Sequence, residues 1–203
     1  MDATLREVLR HRTHADHVRL NRHRLLAGLT KAGYALAAYQ LLLAAYYHFY
    51  RDLEAAIDRF MSGRHFGFDY GQRRKHPWLV EDLQYFGLQP ESEALAPRQA
   101  LGIGPITTNE ELVGVLYAIE GATLGGQVIS SHIASTLGLR EGRGASFFVG
   151  YGAKTGIYWQ QFEMFAASLC VTAEQKHAAG EAARQVFNLV EHLLDDYAAR
   201  LDS

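Results

Sequence analysis

Three segments carry residue types whose spacing could support chemistry. In HRTHADH, His11, His14 and His17 follow one another at three-residue steps. On a helix such steps advance around one side and bring pairs of imidazoles together, and imidazole is the commonest metal ligand. The chain holds ten histidines, so spacing alone fits surface or packed rings as well as ligands. In the second segment, Glu120-Gly-Ala-Thr-Leu-Gly-Gly-Gln-Val, Gly121, Gly125 and Gly126 stand inside a strongly helical stretch. Three interior glycines forgo about 2–3 kcal/mol of helix stability relative to alanine. Gly121 and Gly125, four apart, share a face on which backbone can be approached closely by a flat ligand or by another helix. The third segment, Tyr46-Tyr-His-Phe-Tyr-Arg-Asp-Leu-Glu, mixes aromatic and polar groups on an otherwise apolar helix. By itself it fits core packing with polar tips reaching outward.

The elements that must position these residues are helices. β-Branched residues are sparse, alternating runs are short, and Ala, Leu, Glu, Arg and Gln recur at helical spacing. The pattern predicts an all-α fold. A first helix is expected over residues 4–27, stopped by Gly28, and a second from a Thr30 cap to about Phe60, ended by Gly63. Residues 63–76 read as a loop, Pro77 opens a short helix to Phe86, and 89–107 reads as a connection. Thr108 or Asn109 followed by Glu110 and Glu111 starts a helix to Leu137 before Gly138. Helices over 153–169 and 172–201 complete the chain. The connection at 89–107 is too short to separate two cores, so residues 1–203 read as one domain.

Composition narrows the function classes. With 203 residues and 48% hydrophobic content the chain can bury a sizeable core without staples. Twenty basic against 22 acidic residues, interspersed, leave no footprint for nucleic acid. The single Cys170 excludes an internal disulfide and a Cys-rich metal site and fits a reducing cytosol. The first residues are charged where a signal peptide is apolar, and the apolar stretch from Tyr34 to Tyr47 is interrupted by Gln40. A cytoplasmic protein without a membrane span is expected.

Taken together, the three segments resemble the heme oxygenase family, in a form similar to the bacterial enzymes that supply biliverdin to bacteriophytochromes. Thr13 and His17 match the Thr four residues before the axial histidine, with Leu9 and Arg10 in front. AAYYHFYRDLEAAI resembles the family's second helix, LYAIEGATLGGQVISSHI its kinked distal helix, and GYGAKTGIYWQQFEMF the segment that follows in bacterial members. The resemblance implies a single-domain multi-helix fold with haem sandwiched between proximal and distal helices. It implies His17 as the axial ligand, Arg10 at a propionate, Gly121, Gly125 and Gly126 as distal backbone, and Tyr50 in a distal water network. Lys154 and Tyr158 are further candidates for the propionates. Two departures stand out: Ala122 replaces the distal Asp of animal members, and Asn21 replaces the Glu commonly found four residues after the axial histidine. A neutral amide accepts a weaker hydrogen bond from the imidazole, which leaves the iron less electron-rich.

The implied activity is oxygen-dependent opening of haem, which is both substrate and cofactor, to biliverdin, iron and carbon monoxide. Electrons would come from a ferredoxin or a flavin reductase, and a bacteriophytochrome would receive the product. Two other readings compete. One is a haem carrier or sensor on the same scaffold. The other is a non-haem di-iron oxidase using Glu7, His11 and Glu120, which needs carboxylate–histidine pairs on several helices.

Overall fold

In a computed structural model the chain is described over residues 3–202. Eight α-helices form: α1 Leu5–Asn21, α2 Arg24–Ala27, α3 Leu36–Met61, α4 His76–Tyr85, α5 Asn109–Leu137, α6 Ser146–Val149, α7 Thr155–Leu169 and α8 Ala173–Ala198. No strand is present among the described residues. Three helices open on reciprocal caps: Thr4 with Glu7, Thr108 with Glu111, and Thr172 with Gln175. Each hydroxyl accepts from the third backbone N–H while the third side chain reaches back to the cap N–H, satisfying two otherwise unpaired donors.

The expected first helix is two. Arg22 ends α1, and the His23 ring accepts from the Leu25 N–H to start α2. The break has a geometric reason. Leu5, Leu9, Thr13 and Asp16 are buried on one side of α1, whereas at about 100° per residue Leu25 would point to the opposite side of an unbroken helix. Turning the chain brings Leu25 and Leu29 into the core. The second expected helix begins five residues late, with its cap at Ala35 instead of Thr30, because Gly33 takes a left-handed φ of 78° and Thr30 caps nothing. Gly28 is required by a close approach: an added Cβ would lie 2.3 Å from the Tyr34 ring. The helix expected over 153–169 is preceded by α6 and a 3-10 turn at Gly152–Lys154 and starts at Thr155. α5 matches its expected span, ending at Gly138 with φ 68°.

α8 is the spine of the bundle, with α1, α3 and α5 packed on it. It runs parallel to α1, and the two are stitched in register. Arg12 bonds Glu181 and His177, Asp16 pairs with Arg184, Arg19 with Glu191 and Asn188, and His23 with Asp195. α5 is parallel to α8 as well. Glu110 at its start lies near Cys170, just before α8, and Gly114 four residues on meets Ala179, Ala182 and Ala183 so closely that a Cβ would stand 2.3 Å from the Ala179 carbonyl. By length and composition α5 alone among the described helices is long and apolar enough to cross a membrane; here it is a core helix packed on α8 and α7.

α6 is held to α4 by Asp82, which is fully buried and accepts from the Ser146 and Phe147 N–H groups at 2.7 and 2.9 Å. Burial pushes its carboxyl up to about 6, against 3.8 for a free aspartate. With the folded value above the unfolded one, the native state binds the extra proton between about pH 4 and 6, so this group's contribution is present at low pH and lost as pH rises. Asp82→Asn removes that titration. The stability difference between variant and parent should therefore move in the variant's favour by about 2 kcal/mol from pH 4 to pH 7, less than the whole shift because pH 4 already lies near the unfolded value. Denaturant titrations at the two pH values check this, and a difference constant with pH would contradict it.

Candidate active site

His17 is exposed on α1, with its ring edge-on to Phe187 of α8 at 6.0 Å. Partial burial and the neighbouring His14 lower its pKa, so the imidazole is neutral at neutral pH, the form that ligates iron. The Asn21 amide lies 3.2 Å from Nδ1 and 3.5 Å from Nε2, as the one-turn spacing predicts. Thr13 stands apart from this contact: it is buried and its hydroxyl donates to the Leu9 carbonyl at 2.8 Å. Arg10, about 10 Å before His17 along the helix, is exposed, as are His11 and His14. Arg10 has no ion-pair or hydrogen-bond partner among the described residues. His23, by contrast, is engaged by Asp195 at 3.2 Å.

The three distal glycines separate into different roles. A Cβ on Gly125 would meet nothing within 4 Å; one on Gly126 would stand 2.7 Å from the Phe148 carbonyl; one on Gly121 would reach the Trp159 ring at an ordinary 3.8 Å. Gly126 is therefore a packing glycine and Gly125 faces open space. Around it α5 exposes an uncharged strip with Ala122, Leu124 (42% exposed) and Val128 (59%). The helix continues unbroken through the three glycines.

Leu5 and Leu9 of α1, Tyr117 of α5, and Trp159 and Phe162 of α7 line one cavity of about 160 Å³. Tyr117 thus lies beside the first two turns of α1, and the two helices run the same way. Farther along, α1 reaches His17 beside Phe187 of α8, and α5 reaches its three glycines. An imidazole, an apolar floor and bare helix backbone are groups that suit a flat apolar ring carrying a metal.

Tyr50 is buried against Tyr46, Phe49 and Phe147. Burial, with Tyr46, Glu54 and Glu120 nearby, raises its pKa well above 10, so the hydroxyl remains a donor. Lys154 is exposed in the turn before α7, and no hydrogen bond or ion pair among the described residues engages its ammonium. Tyr158 is stacked on Tyr151 at 4.3 Å beneath the Arg73 guanidinium.

Sequence reasoning missed the partners of Glu120. Its carboxylate is buried between Arg73 and Lys75, and the signal was legible: a lone acid in an apolar helix interior demands a buried counter-charge. Phe187 carried no signal beyond its place on an amphipathic helix. The di-iron reading is overturned. Glu7 caps α1, Glu120 is neutralised by two cations, and no group of three or more His, Cys, Asp or Glu placed to hold a metal exists among the described residues.

Among solved structures, heme oxygenase from Leptospira interrogans is 22% identical, with 95% of this chain and 98% of that one covered and a TM-score of 0.76. Heme oxygenase-1 from Synechocystis, in complex with heme, is 19% identical over 98% and 95%, with a TM-score of 0.78. The heme oxygenase from Neisseria meningitidis is 20% identical over 97% and 94%, with a TM-score of 0.68. At such identities these likenesses establish the fold. No match is found among curated proteins. The heme oxygenase family matches residues 3–196, nearly the whole sequence, and the chain therefore belongs to this family of enzymes that convert haem to biliverdin.

Proposed function

We propose that residues 1–203 act as one domain that opens haem to biliverdin, iron and carbon monoxide, with His17 as the axial ligand and the α5 backbone at Gly125 over the opposite face of the ring. The observation that carries this reading is that parallel helices carry an exposed neutral imidazole on α1 and, on α5, a glycine whose missing side chain leaves open space. Haem supplies the iron at which oxygen is activated; the protein supplies position, exclusion and proton control. His17 and the Phe187 edge orient the ring, Arg10 and Lys154 are the unengaged cations for its propionates, and Gly121 lets α5 lie flat beside it. With Ala122 in place of an acid, the Tyr50 hydroxyl and ordered water carry protons on the distal side. Gly126 serves by holding α5 against α6, and Tyr158 by holding Arg73.

Electrons come from a ferredoxin or flavin reductase, and the product serves a bacteriophytochrome in the cytoplasm; the form of the distal run, Ile119-Glu-Gly-Ala-Thr-Leu-Gly-Gly126, supports that recipient. The test is an absorption spectrum after adding hemin, followed by ascorbate or ferredoxin with its reductase under air. Loss of the Soret band with growth of biliverdin absorption is expected. A Soret band that persists through reduction and oxygenation would make the chain a haem carrier.

Asn21→Glu restores a carboxylate one turn from His17. A hydrogen bond to a charged acceptor is stronger by about 1 kcal/mol, or roughly 40 mV for a one-electron couple. The haem reduction potential should fall by that order and the ferrous Fe–His stretching frequency should rise. Redox titration and resonance Raman check this; if neither quantity moves, Asn21 is not the partner of the axial ligand.

A further inference from the structure

Behind the glycine-bearing turn of α5 lies a charge cluster with almost no exposure: Arg73 at 3%, Lys75 at 1% and Glu120 at 1%. The Glu120 carboxylate accepts from Lys75 Nζ, from Arg73 Nη1 at 2.9 Å and from the Tyr151 hydroxyl at 3.0 Å. Lys75 Nζ also donates to the Tyr151 oxygen at 2.8 Å, and Arg73 donates to Gln161 Oε1 and the Tyr158 carbonyl at 2.9 and 3.1 Å. Two cations and a carboxylate withdrawn from water are costly to bury, and a hydrophobic packing of equal volume would serve stability as well. What the ions provide is geometry. Glu120 lies about 140° around α5 from Gly125, so it grips the back of the helix whose front is bare.

The other end of the same turn is gripped too. Gly126 rests on the Phe148 carbonyl, and Gln127 Nε2 donates to the Gly152 carbonyl at 3.0 Å. Phe148, Tyr151, Gly152 and Tyr158 belong to one eleven-residue segment, shaped by Gly150 at φ 57° and ψ −127°, a region open essentially to glycine alone. The glycines weaken α5 between Gly121 and Gly126, and this segment clamps it on both sides of the weakness.

We infer that Lys75, Glu120 and the 148–158 segment fix the height of Gly125 over the porphyrin and thereby select which meso carbon is oxidised. The inference rests on the reading of Gly125 as distal backbone. Lys75 and Glu120 are positioning residues and touch neither haem nor oxygen.

The test uses the full chain with Glu120→Gln and with the paired Glu120→Gln/Lys75→Met, which removes the Lys75–Glu120 pair and leaves Arg73 held by Gln161 and the Tyr158 carbonyl. In the haem-free proteins, amide hydrogen exchange within 121–126 should accelerate at least tenfold while amides of α3 keep their parent rates. In the haem-loaded proteins under reductant and air, the minor biliverdin isomers should rise at least threefold, a change that general loss of stability does not produce. Should Glu120→Gln fail to fold, Gln127→Ala, at an exposed position, loosens the other grip and should shift exchange and isomers in the same direction. Asp58→Asn, which breaks the exposed pair with Arg74, serves as the control and should move neither. Parent exchange rates at 121–126, or a parent isomer pattern in the folded variants, would overturn the inference. If the parent itself forms no biliverdin, the functional reading falls, and the exchange rates still decide whether the clamp exists.

Discussion

His17→Ala will leave a folded protein that takes up haem weakly and fails to open it. The side chain is exposed and its contacts are one ring edge and one amide, so the haem-free protein should stay within about 0.5 kcal/mol of the parent. Alanine is the better helix former, which offsets the lost contacts. In the proposed site Phe187, the α5 strip and Arg10 would remain to hold a porphyrin. What disappears is the nitrogen that fixes the iron, and turnover should fall at least about a hundredfold, beyond the range seen when only the partner of a metal-bound histidine is removed. Added imidazole should fill the cavity and restore part of the rate, as followed by biliverdin absorption. Unchanged turnover would move the ligand to His11 or His14, the two histidines that share the exposed side of α1; His23, bound to Asp195, is a poorer substitute.

The same residues show how far the sequence alone reaches. The reciprocal cap at Thr108 is local chemistry, confined to four residues, and the helix start read from it holds to within one residue, as does the start expected at Thr172. The Asn21–His17 contact is likewise a consequence of one helical turn. Helix breaks are less legible. Nothing in the spacing of α1 says that Leu25 must reach a core on the other side; that need arises only when α8 is laid alongside. The glycines illustrate the limit most directly. Gly125 and Gly126 are adjacent and chemically identical, and only the fold reveals that one faces space and the other a carbonyl. Lys75 and Glu120 are 45 residues apart, and their pairing is set by tertiary packing rather than by any local pattern.

That contrast yields the second large effect. Gly125→Leu places a branched side chain in the space over which the α5 backbone lies bare. Leucine is the better helix former by roughly 0.8 kcal/mol, and no atom within 4 Å opposes its Cβ. The haem-free variant should therefore be as stable as the parent or more so, while haem affinity and turnover collapse, since the side chain fills the volume that ring and oxygen need. Gly126→Ala should do the reverse. Its Cβ meets the Phe148 backbone, which cannot swing aside as a side chain would, and overpacking of this kind costs about 1–3 kcal/mol, more than the gain of up to ~1 kcal/mol in helix propensity. Thermal unfolding of both haem-free variants, set beside hemin titration and biliverdin yield, separates the two. A destabilised Gly125→Leu that still turns haem over would mean that Gly125 packs against protein and that the ring lies elsewhere, whereas a more stable protein without activity fixes the distal face at this residue.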